Sequence, residues 1–335
     1  MSKSQFNWPI VGNQPLVEYL QHCLGAGNLS HAYLWYGPEH IGKSTLTRNF
    51  IHSLYCQASG VKPCFNCEPC RQISQGIHPE VIWLSRLREE KTNKLKKNIS
   101  IEQVRTLIGK LSLHSFADTY KVAVIDQAQY LSAEAANALL KTLEEPSAKT
   151  ILILLTNNLA VLPPTLVSRC QLLRFRPVEA GAIEAYLLTQ SADPKLARQL
   201  AALAYGRPGL AINFLAVPDS LADYQDQIQQ ILALPAADLV ERFRLGYELL
   251  ETGTDDSLAE LLLELEKVWR DVLLIKFGLG ALVAQPQFVG ALDQLVGHYS
   301  ARQILEIFRQ LQQARRYARA NVNQKLILEN LVLNF

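Results

Sequence analysis

A chain of 335 residues exceeds the roughly 100–200 residues of one typical domain, which excludes a single small module and sets two or three domains as the expectation. With 49% apolar and 19% charged residues, and no run of the roughly 20 apolar residues that span a bilayer, the composition is that of an ordinary soluble protein outside the membrane. A formal charge of +2 excludes a polycation that coats nucleic acid unaided, so any contact with DNA is expected to be local or shared with partners.

The opening residues lack the apolar core of a secretory signal, and six cysteines fall far below the density of a disulfide scaffold. A reducing, cytoplasmic setting is expected. The first half alternates short apolar strands with helical patterns. His31-Ala-Tyr-Leu-Trp-Tyr36 reads as a strand that enters a Gly/Pro turn and then a helix from about Gly42 to Tyr55. Further strands are expected at Glu80–Leu84, Lys121–Asp126 and Thr150–Thr156, each rich in Val, Ile and Leu and too short for a helix. Such runs are typical of parallel strands buried on both faces. Ser100 with Gln103 forms a capping-box pattern, and Ser132 is placed to cap a helix through Ala135–Glu145 that stops at Pro146.

The α/β pattern continues to about Phe175, and after Pro177 only helical patterns remain: about Glu179–Gln190, Asp193–Ala204, Ser220–Leu234, Ala237–Leu250, Ser257–Phe277, Pro286–Val296, Ala301–Ala318 and Val322–Leu333. The turn Gly206-Arg-Pro-Gly209 and the break Val217-Pro218-Asp219 divide this half into a small helical lid and a larger terminal bundle.

Gly37-Pro-Glu-His-Ile-Gly42-Lys43-Ser44 matches the phosphate-loop pattern G-x-x-x-x-G-K-[ST], directly after a strand and at a helix start. Glycines let backbone N–H groups curl around phosphates, Lys43 can reach the β- and γ-phosphates, and Ser44 can ligate Mg²⁺. ATP or ADP with Mg²⁺ is the ligand this implies. Asp126, at the end of its strand, is suited to the metal shell, although a strand-end aspartate can equally cap a turn. Gln127 follows it, and an amide cannot take a proton from an attacking water, so binding without efficient turnover is expected.

Cys56, Cys64, Cys67 and Cys70 lie within fifteen residues at spacings that suit a closed tetrahedral site, the geometry of structural Zn²⁺. An iron–sulfur cluster or four reduced thiols are the alternatives. Arg86 to Lys97 holds six basic and two acidic residues, enough to touch a phosphate backbone, but with no interleaved aromatic it also reads as a solvated loop.

Taken together these residues resemble the clamp-loader branch of the AAA+ ATPases across nearly the whole chain. Val11-Gly12-Asn13-Gln14 is similar to the family's segment beside the adenine, and Ala135-Ala-Asn-Ala-Leu-Leu-Lys-Thr-Leu-Glu-Glu-Pro146 to a bacterial clamp-loader helix. Ser168-Arg169-Cys170 resembles the family's SRC motif, whose arginine is presented to ATP held by the neighbouring subunit. The resemblance implies nucleotide contacts by Val11, Gly12, Gly37, Gly42, Lys43, Ser44, Thr45, Asp126 and Asn157, the last standing at the first sensor, with Arg169 acting in trans. Gln127, Gly209 in place of a second sensor arginine, and the end at Phe335 imply a largely non-hydrolysing stationary subunit rather than a motor. The implied fold is α/β plus all-α: a P-loop domain at 1–176 with a zinc module at 56–70, a helical lid at 177–217 and a helical collar at 218–335. The implied partners are gamma/tau motor subunits and a delta clamp-opening subunit in a hetero-pentamer that meets a sliding clamp and primed DNA. A hydrolysing motor or a homo-oligomeric ATPase is the alternative, and a zinc-stapled nucleic-acid-binding protein a third.

Overall fold

Five short segments build one parallel sheet, in the order β2-β3-β4-β1-β5. The computed structural model describes residues 6–89, 95–112, 119–147, 149–251, 257–320 and 322–335. In chain order the elements begin α1 (Gln14–Ala26), β1 (Ala32–Tyr36), α2 (Lys43–Tyr55), α3 (Glu68–Ser74), β2 (Val81–Leu84), α4 (Ile101–Ser112), β3 (Lys121–Ile125), α5 (Ala133–Glu144), β4 (Thr150–Thr156), α6 (Pro164–Val167) and β5 (Gln171–Arg174). The remainder is helical: α7 (Ala180–Thr189), α8 (Pro194–Leu203), α9 (Pro208–Ala216), α10 (Pro218–Ala233), α11 (Leu239–Glu251), α12 (Ser257–Lys276), α13 (Val289–His298), α14 (Ala301–Arg319) and α15 (Gln324–Val332). The fold class is α/β plus all-α. No helix among the described residues is long and apolar enough to cross a membrane.

The chain forms two compact units, residues 1–186 with 206–210, and residues 187–205 with 211–335. In the first, side chains alternate across the sheet as strand geometry requires. Ala32, Leu34, Ala123, Ile125, Leu152 and Leu154 share a core with α4, α5 and α6. Tyr33 and Trp35 alternate to the opposite face, where both meet Phe50 of α2 edge-on, at 6.1 and 6.2 Å between ring centroids. Both caps read from the sequence form: the Ser100 N–H donates to Gln103 Oε1 at 3.1 Å, and Ser132 Oγ accepts from the Ala135 N–H at 3.1 Å.

In the second unit the helices from α10 onward bury a continuous apolar core. Trp269, 1% exposed, sits within it, with the Tyr299 ring edge-on at 4.9 Å and Phe335 stacked at 5.9 Å. A full capping box at Ser300 and Gln303 starts α14.

Several elements depart from the sequence reading. The strand β5 lies at a sheet edge with only Leu173 buried, so it lacks the continuous apolar signature of its neighbours. Helices α1, α3, α6 and α9 form where the sequence offered proline or glycine punctuation; in each the proline occupies the first turn, where its missing N–H costs nothing. The expected helix Pro286–Val296 begins as a 3₁₀ turn, Pro286–Phe288, before α13.

Candidate functional site

At the carboxyl edge of the sheet, the ends of β1, β3 and β4 surround a cleft of about 310 Å³. Crevices at this edge are where open α/β sheets take ligands. Gly42, Lys43, Ser44, Thr45, Asp126 and Asn157 all line it. The loop from Gly37 to Gly42 joins β1 to α2, and Gly37 passes so close to the next strand that an added Cβ would stand 2.7 Å from the Phe175 carbonyl oxygen. Only glycine fits there. Gly42 adopts φ 102° at the N-terminus of α2, turning the loop into the helix.

Lys43 Nζ donates to the carbonyl oxygens of Gly37 and Pro38, at 2.6 and 2.7 Å. Burial lowers its pKa to about 8 even though the carboxylates of Glu39 and Asp126 pull it upward. Burial also raises the Asp126 carboxyl above its usual range, opposed by the Gln127 N–H, by Lys43, by the Trp83 indole N–H and by Arg48. Gln127 donates that N–H to Asp126 Oδ1 at 2.9 Å from a left-handed backbone, φ 56°. Its side-chain oxygen is turned to Arg86, whose Nε donates at 3.2 Å and whose guanidinium stacks 3.6 Å over the Tyr130 ring. Position 127 is thus occupied by an amide tied to a buried arginine.

The cleft also holds groups that the sequence reading did not single out as ligand contacts. Glu39 accepts from Asn157 Nδ2 at 2.8 Å, and Gln129 Oε1 accepts from Thr156 Oγ1 at 3.1 Å and from the Asn157 N–H at 3.4 Å. Glu39 and Gln129 occupy positions where the motif pattern imposes no residue type, and their partners are distant in sequence, so no local signal marks them. Gly209 donates its N–H to the His40 carbonyl at 2.8 Å, and a Cβ at 209 would meet that same oxygen at 2.8 Å. The glycine read as a missing arginine therefore lets a helix start press on the phosphate loop. Burial lowers the His40 pKa, with Arg207 and Lys43 adding to the effect.

Val11, Gly12, Gly37 and Arg169 are not among the cleft-lining residues. Gly12 takes φ 75° against the Val178 side chain. Arg169 is held at the surface: Nη2 pairs with Glu144 Oε1 at 2.7 Å and Nη1 donates to the Thr165 carbonyl at 2.7 Å.

The four cysteines form a second site. Cys56, Cys64, Cys67 and Cys70 bring their Sγ atoms within 4.8 Å of one another. Thiolates around a tetrahedral Zn²⁺ at about 2.3 Å stand about 3.8 Å apart, so the donor set fits a closed metal site. The Cys67 N–H donates to Cys64 Sγ and the Cys64 N–H to Cys56 Sγ, at 3.3 and 3.4 Å. The backbone N–H groups of Asn66 and Cys67 lower the Cys64 thiol to about 6, which favours the thiolate that metals bind. All four cysteines are free of disulfides. Of the basic run, residues 90–94 lie outside the described residues.

Residues 12–179 match the family model described as DNA polymerase III, delta subunit. The chain belongs to that family. Among its relatives, the DNA polymerase III subunit delta′ of Bacillus subtilis is 28% identical over 327 residues, 96% of this chain and 95% of that protein. The Pseudomonas aeruginosa subunit delta′ is 36% identical over 147 residues, 44% of this chain and 43% of its own length. Family likeness extends to the Bacillus subtilis subunit tau, 35% identical over 175 residues, but this covers 52% of the chain and 30% of tau.

Proposed function

We propose that the chain is the delta-prime subunit of a bacterial clamp loader of DNA polymerase III, a largely non-hydrolysing stator. The observation that carries this reading is the end-to-end correspondence with a delta′ subunit, 96% of one chain against 95% of the other, whereas the likeness to a tau and a tau/gamma subunit covers 52% and 63% of the chain and 30% of each of those proteins. The tie between Gln127 and Arg86 supports it, because the residue after Asp126 is neither a base nor free to orient water.

In this reading the first 176 residues are the P-loop domain, 177–217 a lid and 218–335 a collar that joins gamma/tau and delta subunits in a hetero-pentamer. Gly37, Gly42, Lys43, Ser44, Thr45, Asp126 and Asn157 hold ATP or ADP with Mg²⁺, and Val11 and Gly12 stand beside the adenine. Arg169, held near the surface by Glu144, is offered to ATP bound by the neighbouring subunit, where a guanidinium offsets γ-phosphate charge. Zn²⁺ on the four cysteines staples the segment between α2 and β2; it supplies no catalytic position, since all four ligands come from the chain. The assembly then opens a sliding clamp and places it on primed DNA, in the cytoplasm.

The intact phosphate loop and Asp126 favour one rival, a hydrolysing motor or homo-oligomeric ATPase. Affinity purification of the tagged chain from its host, followed by native mass spectrometry, separates the two. Recovery with an excess of gamma/tau and one delta subunit supports the stator; a homo-oligomer with brisk ATP turnover overturns it.

A further inference from the structure

A second cavity lies in the same unit, outside the nucleotide cleft. It encloses about 300 Å³ between α2, the helix α3 that carries Cys70, and the edge strand β2. That size reaches the lower bound of small-molecule pockets. Arg48 and His52 both line it from α2, and their i, i+4 spacing sets them one helical turn apart on one face. Ile51 and Ile73 add apolar surface, and Trp83 and His78 contribute flat rings.

One of these groups is buried without a partner, and another is a cation placed beside it. His52 is 5% exposed, and its Nδ1 has no hydrogen-bond partner. A buried ring nitrogen in that state costs free energy unless a ligand or water satisfies it. Arg48 is exposed, with its guanidinium 5.1 Å from the Trp83 ring centroid. One guanidinium face rests on the indole, which leaves its in-plane N–H groups for an oxyanion. Trp83 follows Val81 and Ile82 on the edge strand β2, so its indole forms one wall of this cavity.

We propose that this cavity binds a small molecule carrying one oxyanion and a flat apolar body, with the oxyanion between Arg48 and His52 and the body against Trp83, Ile51 and Ile73. The oxyanion can be a carboxylate or a phosphate monoester, and the test has an arm for each.

Full-length protein is titrated with indole-3-acetate and, separately, with phenyl phosphate, each followed by saturation-transfer NMR, with neutral indole as the reference. At least one anion is expected to bind with Kd of about 0.1–1 mM, the range for ligands of this size, and several-fold tighter than indole. Which anion binds identifies the class. Binding should weaken at least about fivefold in Arg48→Gln, whose exposed side chain makes folding failure an unsuitable explanation, and also in His52→Gln. It should persist in Lys43→Ala, which assigns it to this cavity and not to the phosphate loop. The proposal is overturned if neither anion binds, if indole binds as tightly, if Arg48→Gln leaves the affinity unchanged, or if Lys43→Ala abolishes binding.

Discussion

The Glu39 carboxylate accepts a hydrogen bond from the Asn157 side-chain amide at 2.8 Å, across the mouth of the cleft and 118 residues away in sequence. This places a fixed negative charge inside a phosphate loop, close enough to Lys43 to act on its proton affinity. A terminal phosphate entering the cleft meets that charge and competes for the same amide. Near a protein surface, such repulsion between two charges is worth about 1 kcal/mol or more. Glu39→Gln is therefore expected to tighten ATP binding about fivefold, and ADP less, in calorimetric titrations with Mg²⁺. Unchanged or weaker ATP binding by the variant would mean that Glu39 swings clear at no cost.

The pH dependence of Lys43 carries two opposite signs. Its pKa in the fold, about 8, lies below the ordinary lysine value, so the unfolded chain holds more protons between the two. The penalty for burying the charged form is fully present below about pH 8 and is relieved as pH rises toward the ordinary value, so this group makes the ligand-free protein more stable with rising pH. Nucleotide binding runs the other way, because phosphate prefers the ammonium. Affinity should fall between pH 7.5 and 9.5, roughly tenfold per pH unit at most, and binding near pH 8.5 should take up a proton. Calorimetry in buffers of different ionisation enthalpy measures that proton directly. Lys43→Arg should flatten the profile.

Placing glutamate at position 127 is not expected by itself to raise turnover. A carboxylate there would meet Arg86, which already donates to Gln127, and a charge-assisted pair of that kind lowers the basicity a water-activating group needs. Gln127→Glu alone should leave ATPase within about threefold of the starting rate, while Gln127→Glu with Arg86→Gln should exceed it by about a hundredfold, the lower end of the general-base range. Single-turnover assays in the assembled complex decide this, and a large rise from Gln127→Glu alone would falsify the pairing.

Metal should leave with any of the four thiols. Cys67→Ser is expected to drop bound zinc, measured by inductively coupled plasma mass spectrometry, from one equivalent to none, and to lower the melting temperature by roughly 5 °C. Full metal content in that variant would require another ligand among the residues of this module.

Much of this organisation is legible in the sequence because its signals are local. The phosphate loop follows an apolar strand, the cysteines fall within one short segment, and Ser100 and Ser132 sit next to the turns they cap. What escapes is set by distant partners. Arg86 reads as part of a solvated basic run until Gln127 and Tyr130, in and beside the turn after β3, are brought against it, and it ends 8% exposed. Glu39 is a permissive position of the loop until Asn157 arrives from the end of β4. The strand β5 escapes for another reason: an exposed edge needs little apolar side chain, so four residues with one buried leucine give no periodic signal.

The strand order carries a consequence for the growing polypeptide. Among the described strands β1 pairs with β4 and β5, and β3 with β2 and β4, so the sheet sets the loop that follows β1 and the aspartate that follows β3 on either side of the strand Thr150–Thr156. A nascent chain that has released the first three strands still has β1 without a neighbour. Its long-range closure waits on residues made more than a hundred positions later, a kind of ordering that slows folding because chain entropy is lost before the contacts that repay it form. During synthesis, the loop from Gly37 to Gly42 and Asp126 are therefore strangers until β4 emerges and slots between them.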